Sequence, residues 1–246
     1  MVNSQKIKEK FNELRLKSCI ENFDRIMAQA IQKNWTPAEI IETLMDLELE
    51  HKRQNRMALR YKDSKLIEKP TIDQFNFSHH QSRKKQKAKI LNLMSLEFIE
   101  QKKNIILIGN PGVGKSFLAK CMAYEATMSC QKVLFTTAVD MINNLIAAEA
   151  DKSLLKKLKY YVNPALLVCD EIGYLPMGEE GSNLFFQVIS ARDEKKSTII
   201  TTNLPFAQWG KIFDSTIIAQ AIADRLVNNN TEVLILEGES YRKKAH

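Results

Sequence analysis

The stretch Gly109-Asn110-Pro111-Gly112-Val113-Gly114-Lys115-Ser116 matches G-x-x-x-x-G-K-[ST] at every fixed position. The apolar run Ile105-Ile106-Leu107-Ile108 leads into it, and Phe117, Leu118, Cys121 and Met122 follow at helical spacing. A strand that ends in this loop and a helix that starts from it are the context in which the motif binds phosphate. The glycines let successive backbone N–H groups curl around an anion, and the helix N-terminus adds partial positive charge. The expected ligand is a nucleoside triphosphate with Mg²⁺. Residues Gly109 to Ser116, with Phe117, form the expected nucleotide loop. Lys115 is expected to reach the β- and γ-phosphates, and the Ser116 hydroxyl to ligate the metal.

Further along, Leu166-Leu167-Val168-Cys169-Asp170-Glu171 is an apolar run that ends in two carboxylates. A buried strand stopping at Asp170 brings that carboxylate to the sheet edge beside the phosphates. Asp170 is the second expected Mg²⁺ contact. Glu171 is placed to orient and deprotonate a water, which favours hydrolysis over transfer to a small acceptor. Thr198-Ile199-Ile200-Thr201-Thr202-Asn203 is another strand with a polar end, and Asn203 is expected at the same edge. Its plainer role is a turn residue opening Asn203-Leu204-Pro205. Hydrolysis also calls for a cation, often from a neighbouring subunit. Arg225 and Arg242 are the candidates, and the residues alone do not choose between them.

Around the loop the texture is constant. Short apolar runs at 105–108, 133–135, 166–169, 198–201 and 233–236 alternate with helix-length segments. That alternation predicts an α/β fold with a parallel sheet covered by helices on both faces.

The N-terminal part differs. Thr36-Pro37-Ala38-Glu39 is a capping box with proline at the first helical position. The apolar stripe Ile40, Ile41, Leu44, Leu47 and Met57 then predicts one long helix with a basic end, preceded by a weaker helical pattern over 11–31. Pro70 breaks it. The expected division is a helical domain over 1–69, a basic linker over 70–89 and the nucleotide-binding core over 90–246.

Charge follows this division. Of a net charge of +7, residues 51–100 carry twelve basic and five acidic side chains, while the rest nearly balances. A concentrated basic segment is the footprint of a polyanion binder, or else a solvated helix face. Arg53, Arg56, Arg60, Arg83, Lys84, Lys85 and Lys87 are the candidate contacts to a nucleic-acid backbone.

Composition excludes other classes. Hydrophobic residues make up 44% and charged residues 26%, as in globular chains. No run approaches the 18 or so apolar residues of a membrane span, and no signal-peptide pattern opens the chain, so a cytoplasmic protein with no membrane partner is expected. Cys19, Cys121, Cys130 and Cys169 form no C-x-x-C pair, and buried reduced thiols are expected. His79-His80 lacks metal-ligand spacing, and Trp35 and Trp209 are expected to pack.

Several strings are more specific than the P-loop: Asp170-Glu171-Ile172-Gly173-Tyr174-Leu175-Pro176, Asn183-Leu184-Phe185-Phe186-Gln187, Asp224-Arg225-Leu226 and Gly238-Glu239-Ser240-Tyr241-Arg242. In these the chain resembles the IstB family, AAA+ ATPase helpers of insertion-sequence transposition related to DnaC-type helicase loaders and DnaA-type initiators. The resemblance implies Walker A at Lys115 and Ser116, Walker B at Asp170 and Glu171, and sensor 1 at Asn203. It implies an arginine finger at Arg225 acting across a subunit interface, sensor 2 at Arg242, and a further interface arginine at Arg192. Phe75-Asn76-Phe77 resembles the aromatic segment near the adenine pocket, or serves as a hydrophobic latch. Only ten residues follow Leu236, so no C-terminal lid domain is expected. The implied function is an ATPase that assembles as a homo-oligomer on duplex DNA, with ATP sites at subunit interfaces, and assists a transposase. A DnaC-type helicase loader is the alternative.

Overall fold

The computed structural model describes residues 4–227 and 230–241. It divides into two compact units, residues 1–59 and 60–246. The first is helical, with α1 (Ser4–Glu13), α2 (Lys17–Lys33) and the start of α3 (Pro37–Asp63). Thr36 and Glu39 form the expected capping box: the Glu39 carboxylate accepts from the Thr36 N–H at 2.6 Å, and the Glu39 N–H donates to the Thr36 hydroxyl at 3.3 Å. Cys19, Phe23, Ile26 and Leu44 make the core, flanked by Ile40, Leu47 and Trp35. The inward face of α3 runs 40, 44, 47, 48, so Ile41 points outward and is 61% exposed. Position 48 is a glutamate because α2 begins after Leu16, which has no capping side chain. Glu48 supplies the cap, accepting from the N–H groups of Ser18 at 2.8 Å and Cys19 at 3.2 Å.

In the second unit, β1 (Asn104–Gly109), β2 (Val133–Thr137), β3 (Leu166–Ile172), β4 (Ser197–Thr202) and β5 (Thr231–Leu236) form one parallel sheet of order β2-β3-β4-β1-β5. Side chains alternate between two cores. Ile105, Leu107, Val168 and Ile199 pack with α7 (Lys115–Met128) on one face, joined by residues of α5 (Lys87–Leu93) and α6 (Glu97–Glu100). Ile106, Leu167, Cys169 and Ile200 pack on the other with α8 (Ala138–Ala150), α10 (Gly178–Arg192) and α11 (Thr216–Leu226). Burial on both faces is why the strands read as unbroken apolar runs. Each buried aliphatic side chain contributes about 1.5–3 kcal/mol. Among the described residues no helix is long and apolar enough to cross a membrane.

The division falls earlier than residue 69, and the segment 70–89 is not a free linker. Ser64 accepts the Phe135 N–H at 2.8 Å through its carbonyl, Tyr61 meets Tyr124 edge-on, and Leu66 and Phe75 are buried in the α7-side core. Helix α4 (Gln81–Lys85) is capped by the His80 ring nitrogen, which accepts from the Ser82 N–H at 3.1 Å. Apolar side chains at 61, 66, 72, 75 and 77, too sparse for a periodic pattern, dock one by one.

Arg192, expected at a subunit interface, is 1% exposed. Its Nε donates to the Thr198 hydroxyl at 3.0 Å. One Nη donates to the carbonyls of Tyr161, Val162 and Pro164, and the other to that of Ser197. All three nitrogens are engaged within the fold, so Arg192 is a staple between α10, β4 and the loop after α9 (Leu154–Val162). Arg192→Ala strands several buried carbonyls and should lower stability by about 3–5 kcal/mol. A guanidinium denaturation midpoint checks this; an arginine reaching across an interface would leave the monomer's midpoint unchanged.

Candidate functional site

The loop between β1 and α7 turns on two glycines with left-handed backbone, Gly112 at φ 80° and Gly114 at φ 97°. A Cβ at Gly114 would lie 2.7 Å from the Phe75 ring. Gly114 is also the N-cap of α7, with no capping side chain and no acid in the first turn. The first N–H groups of α7 are thus left to a ligand, and an anion is what they favour. Lys115 Nζ donates to the carbonyls of Gly109 at 2.7 Å and Asn110 at 2.9 Å, at the mouth of the loop.

Opposite stands a hydroxyl-centred knot. The Thr201 Oγ1–H donates to Asp170 Oδ1 at 2.5 Å, and the same oxygen accepts the Glu171 N–H at 2.9 Å. Asp170 is 5% and Thr201 1% exposed, so the hydroxyl supplies a bond water cannot. The β3–β4 register slips by one residue between Cys169 and Ile172. Within that slip Glu171 has φ 64°. Left-handed backbone costs a non-glycine residue about 1–2 kcal/mol, and a bulge re-aims the side chain it carries. Here it turns Glu171 out of the strand alternation and into a small cleft, with Pro111, Gly112, Lys115, Ser116, Thr202 and Asn203 on its walls. The Asn203 Oδ1 is buried there without a partner.

A larger part of the cleft, about 300 Å³, lies beyond the glycine loop between Gln74, Phe75, Arg83, Phe117, Lys120 and Tyr241. That is the size of a small-molecule pocket. Phosphates against the loop and a base in the wider part fit these walls. Among the described residues no group of three or more His, Cys, Asp or Glu side chains is arranged to hold a metal ion. A P-loop magnesium needs only a hydroxyl and a carboxylate, with phosphates and waters completing the shell; Ser116 and Asp170 are of that kind. Burial pushes the Cys121 thiol up to about 12. It raises Cys169 too, aided by the charge of Asp170, so neither supplies a thiolate.

Of the residues the sequence singles out, Pro111, Gly112, Gly114, Lys115, Ser116, Phe117, Glu171 and Asn203 line the cleft, while Asp170 is buried behind it on the Thr201 hydroxyl; the structure adds Thr201, Arg83, Gln74 and Tyr241. Thr201 had a signal: a hydroxyl in a fully buried strand needs a partner. Arg225, near the end of α11, stacks over the Phe186 ring at 4.6 Å and donates to Ala221 O. Among the described residues lining the cleft, Arg225 is not included. Arg242 lies outside the described residues.

The DNA candidates separate. Arg56, Lys84, Lys85 and Lys87 are exposed. Arg53 is exposed but bonded to Glu50, and Arg60 donates to Cys130 O at 3.2 Å. Arg83 is 2% exposed and cannot present its charge to a DNA backbone. His79 meets Glu239 O, and Trp209 is buried, its indole N–H on Leu204 O.

A P-loop on the strand beside β4, with a carboxylate pair on the next strand over, defines the nucleotide-binding core of the AAA+ class. Solved structures agree. The DnaC helicase loader is 25% identical, with a TM-score of 0.53 over 68% of this chain and 96% of that one. AMPPCP-bound DnaA from Aquifex aeolicus, at 16% identity and a TM-score of 0.60, covers 74% of this chain and 54% of its own, and shares the fold. The family model of IstB-like ATP binding proteins matches residues 9–246, and the chain belongs to that family. It is 35% identical to the ATP-binding protein of insertion sequence IS232 from Bacillus thuringiensis subsp. berliner, over 100% of this chain and 98% of that one. It is 34% identical to that of IS5376 from Geobacillus stearothermophilus, over 97% and 94%.

Thr201→Val removes one donor from Asp170 and one acceptor from Glu171. A loss of about 1–3 kcal/mol is expected in thermal or urea unfolding, with most of it recovered in Thr201→Ser.

Proposed function

We propose that the chain is a DNA-binding ATPase that assembles as a homo-oligomer on duplex DNA and assists a transposase. The observation that carries the hydrolytic part is Glu171, held in left-handed backbone at the β3 bulge and facing the P-loop across the cleft. A carboxylate held there at an energetic cost suits a group that takes a proton from water. Lys115 bonds the β- and γ-phosphate oxygens, and Asn203 orients the water. As water attacks the γ-phosphorus, its proton passes to Glu171 and the bond to the ADP oxygen breaks. Mg²⁺, when held by Ser116 and Asp170, neutralises phosphate charge. Arg225, outside its own cleft, reaches the γ-phosphate of a neighbouring subunit, and Arg242 acts as the sensor 2 arginine on the bound nucleotide. Exposed Arg56, Lys84, Lys85 and Lys87 meet the DNA backbone, so affinity falls steeply with salt.

The insertion-sequence relatives support a transposase as the partner. The DnaC likeness supports the helicase loader as a second reading, in which the first 59 residues bind a protein.

The test is light-scattering mass with and without duplex DNA, in ATP and ADP, together with phosphate release. Glu171→Gln should bind ATP and assemble as wild type while hydrolysis falls by about 100-fold or more. Arg225→Ala should also lose hydrolysis, and regain part of it when mixed with Glu171→Gln. A monomer in every condition overturns the oligomeric reading.

A further inference from the structure

Two buried arginines differ in a telling way. Arg192 has every nitrogen engaged and serves the fold. Arg83, equally buried, does not. Its Nη atoms donate to Val113 O at 2.7 Å and Asn76 O at 3.0 Å, and its Nε has no acceptor. Among the described residues no carboxylate pairs with it. Instead the guanidinium lies 4.6 Å from the Phe75 ring centre and 5.7 Å from that of Tyr241. Stability alone favours an apolar side chain of this length over a buried, unneutralised cation with an unmet donor.

What Arg83 touches is the P-loop and the tail after β5. The Tyr241 N–H donates to Gly112 O at 2.9 Å. The tail is docked along the segment before the core: the Ser82 hydroxyl bridges the carbonyl and N–H of Glu237, and His79 meets Glu239 O. Fit is close, since a Cβ at Gly238 would lie 2.7 Å from the His80 ring and one at Gly112 2.0 Å from the Ser240 hydroxyl. Two consecutive P-loop carbonyls are thus held from outside, Gly112 by the tail and Val113 by Arg83. A trans peptide is planar, with its C=O and N–H pointing in opposite directions. Fixing those carbonyls aims the N–H groups of Val113 and Gly114 the other way.

We propose that Arg83 is a positioning residue for the nucleotide: clamped between Phe75 and Tyr241, it sets the P-loop through Val113 and makes nucleotide binding and docking of the tail at 237–241 one coupled event. This rests on the ATP site proposed above. By linkage, each event favours the other by the same factor.

The test is ATP affinity by calorimetry in a Glu171→Gln background, where nucleotide is not consumed, for Arg83→Met, Tyr241→Ala and the double variant, with Lys115→Ala as the control. Each single change should weaken binding by roughly tenfold or more. The double variant should bind about as well as the weaker single, because both break one linkage. In the parent, ATP should also slow amide exchange over 237–241, and Arg83→Met should abolish that slowing. Losses that multiply in the double variant, or unchanged affinity in Arg83→Met, overturn the proposal. If Arg83→Met does not fold, the exchange experiment decides: no protection of 237–241 by ATP overturns it. If the parent binds no ATP, the nucleotide reading itself fails; if the parent binds and Lys115→Ala does not while Arg83→Met is unaffected, only this inference fails.

Discussion

The carboxylate edge of the sheet depends on one hydroxyl. Thr201 donates to Asp170 and accepts from the Glu171 N–H, so a single oxygen on β4 sets two successive residues of β3. Without it, a buried carboxylate would lack a donor and the bulge would lack its tie. The left-handed strain at Glu171 is bearable because this bond and the pairing on either side of the bulge over-determine the backbone. The arrangement also explains the order of the sheet. Only with β4 between β3 and β1 can a β4 side chain brace the β3 carboxylates while β1 delivers the glycine loop beside them.

The same economy appears on the other side of the loop. The P-loop carries little side-chain mass, so its shape is imposed from outside by Arg83, Phe75 and the tail. Segments before and after the core, far apart in sequence, meet over the nucleotide cleft. An ATP-binding core whose loop is braced by its own flanking segments has a means of linking the nucleotide to whatever those segments contact.

Legibility in the sequence followed the range of the interactions. The P-loop, the apolar strand that carries Asp170 and the capping box at Thr36 are local patterns, set by a few consecutive residues; the first and last are found where the pattern predicts, while the strand does not stop at Asp170 but runs on through the bulge to Ile172. The basic stretch at 83–89 misled at Arg83, because composition counts charge without burial: four residues along, Lys87 is exposed as expected. Arg192 misled likewise, since a cation satisfied by five acceptors from two separate segments leaves no local mark.

The sequence by itself determined the alternation of strands and helices, the phosphate loop and the two carboxylates, because backbone geometry and burial periodicity act within one element. Only the tertiary structure decided that Thr201 ties those carboxylates, that Glu171 sits in a bulge, and that Arg83 and Tyr241 clamp the loop. Those contacts join residues 30 to 158 positions apart, and which side chains meet at such distances follows from how the elements pack against each other.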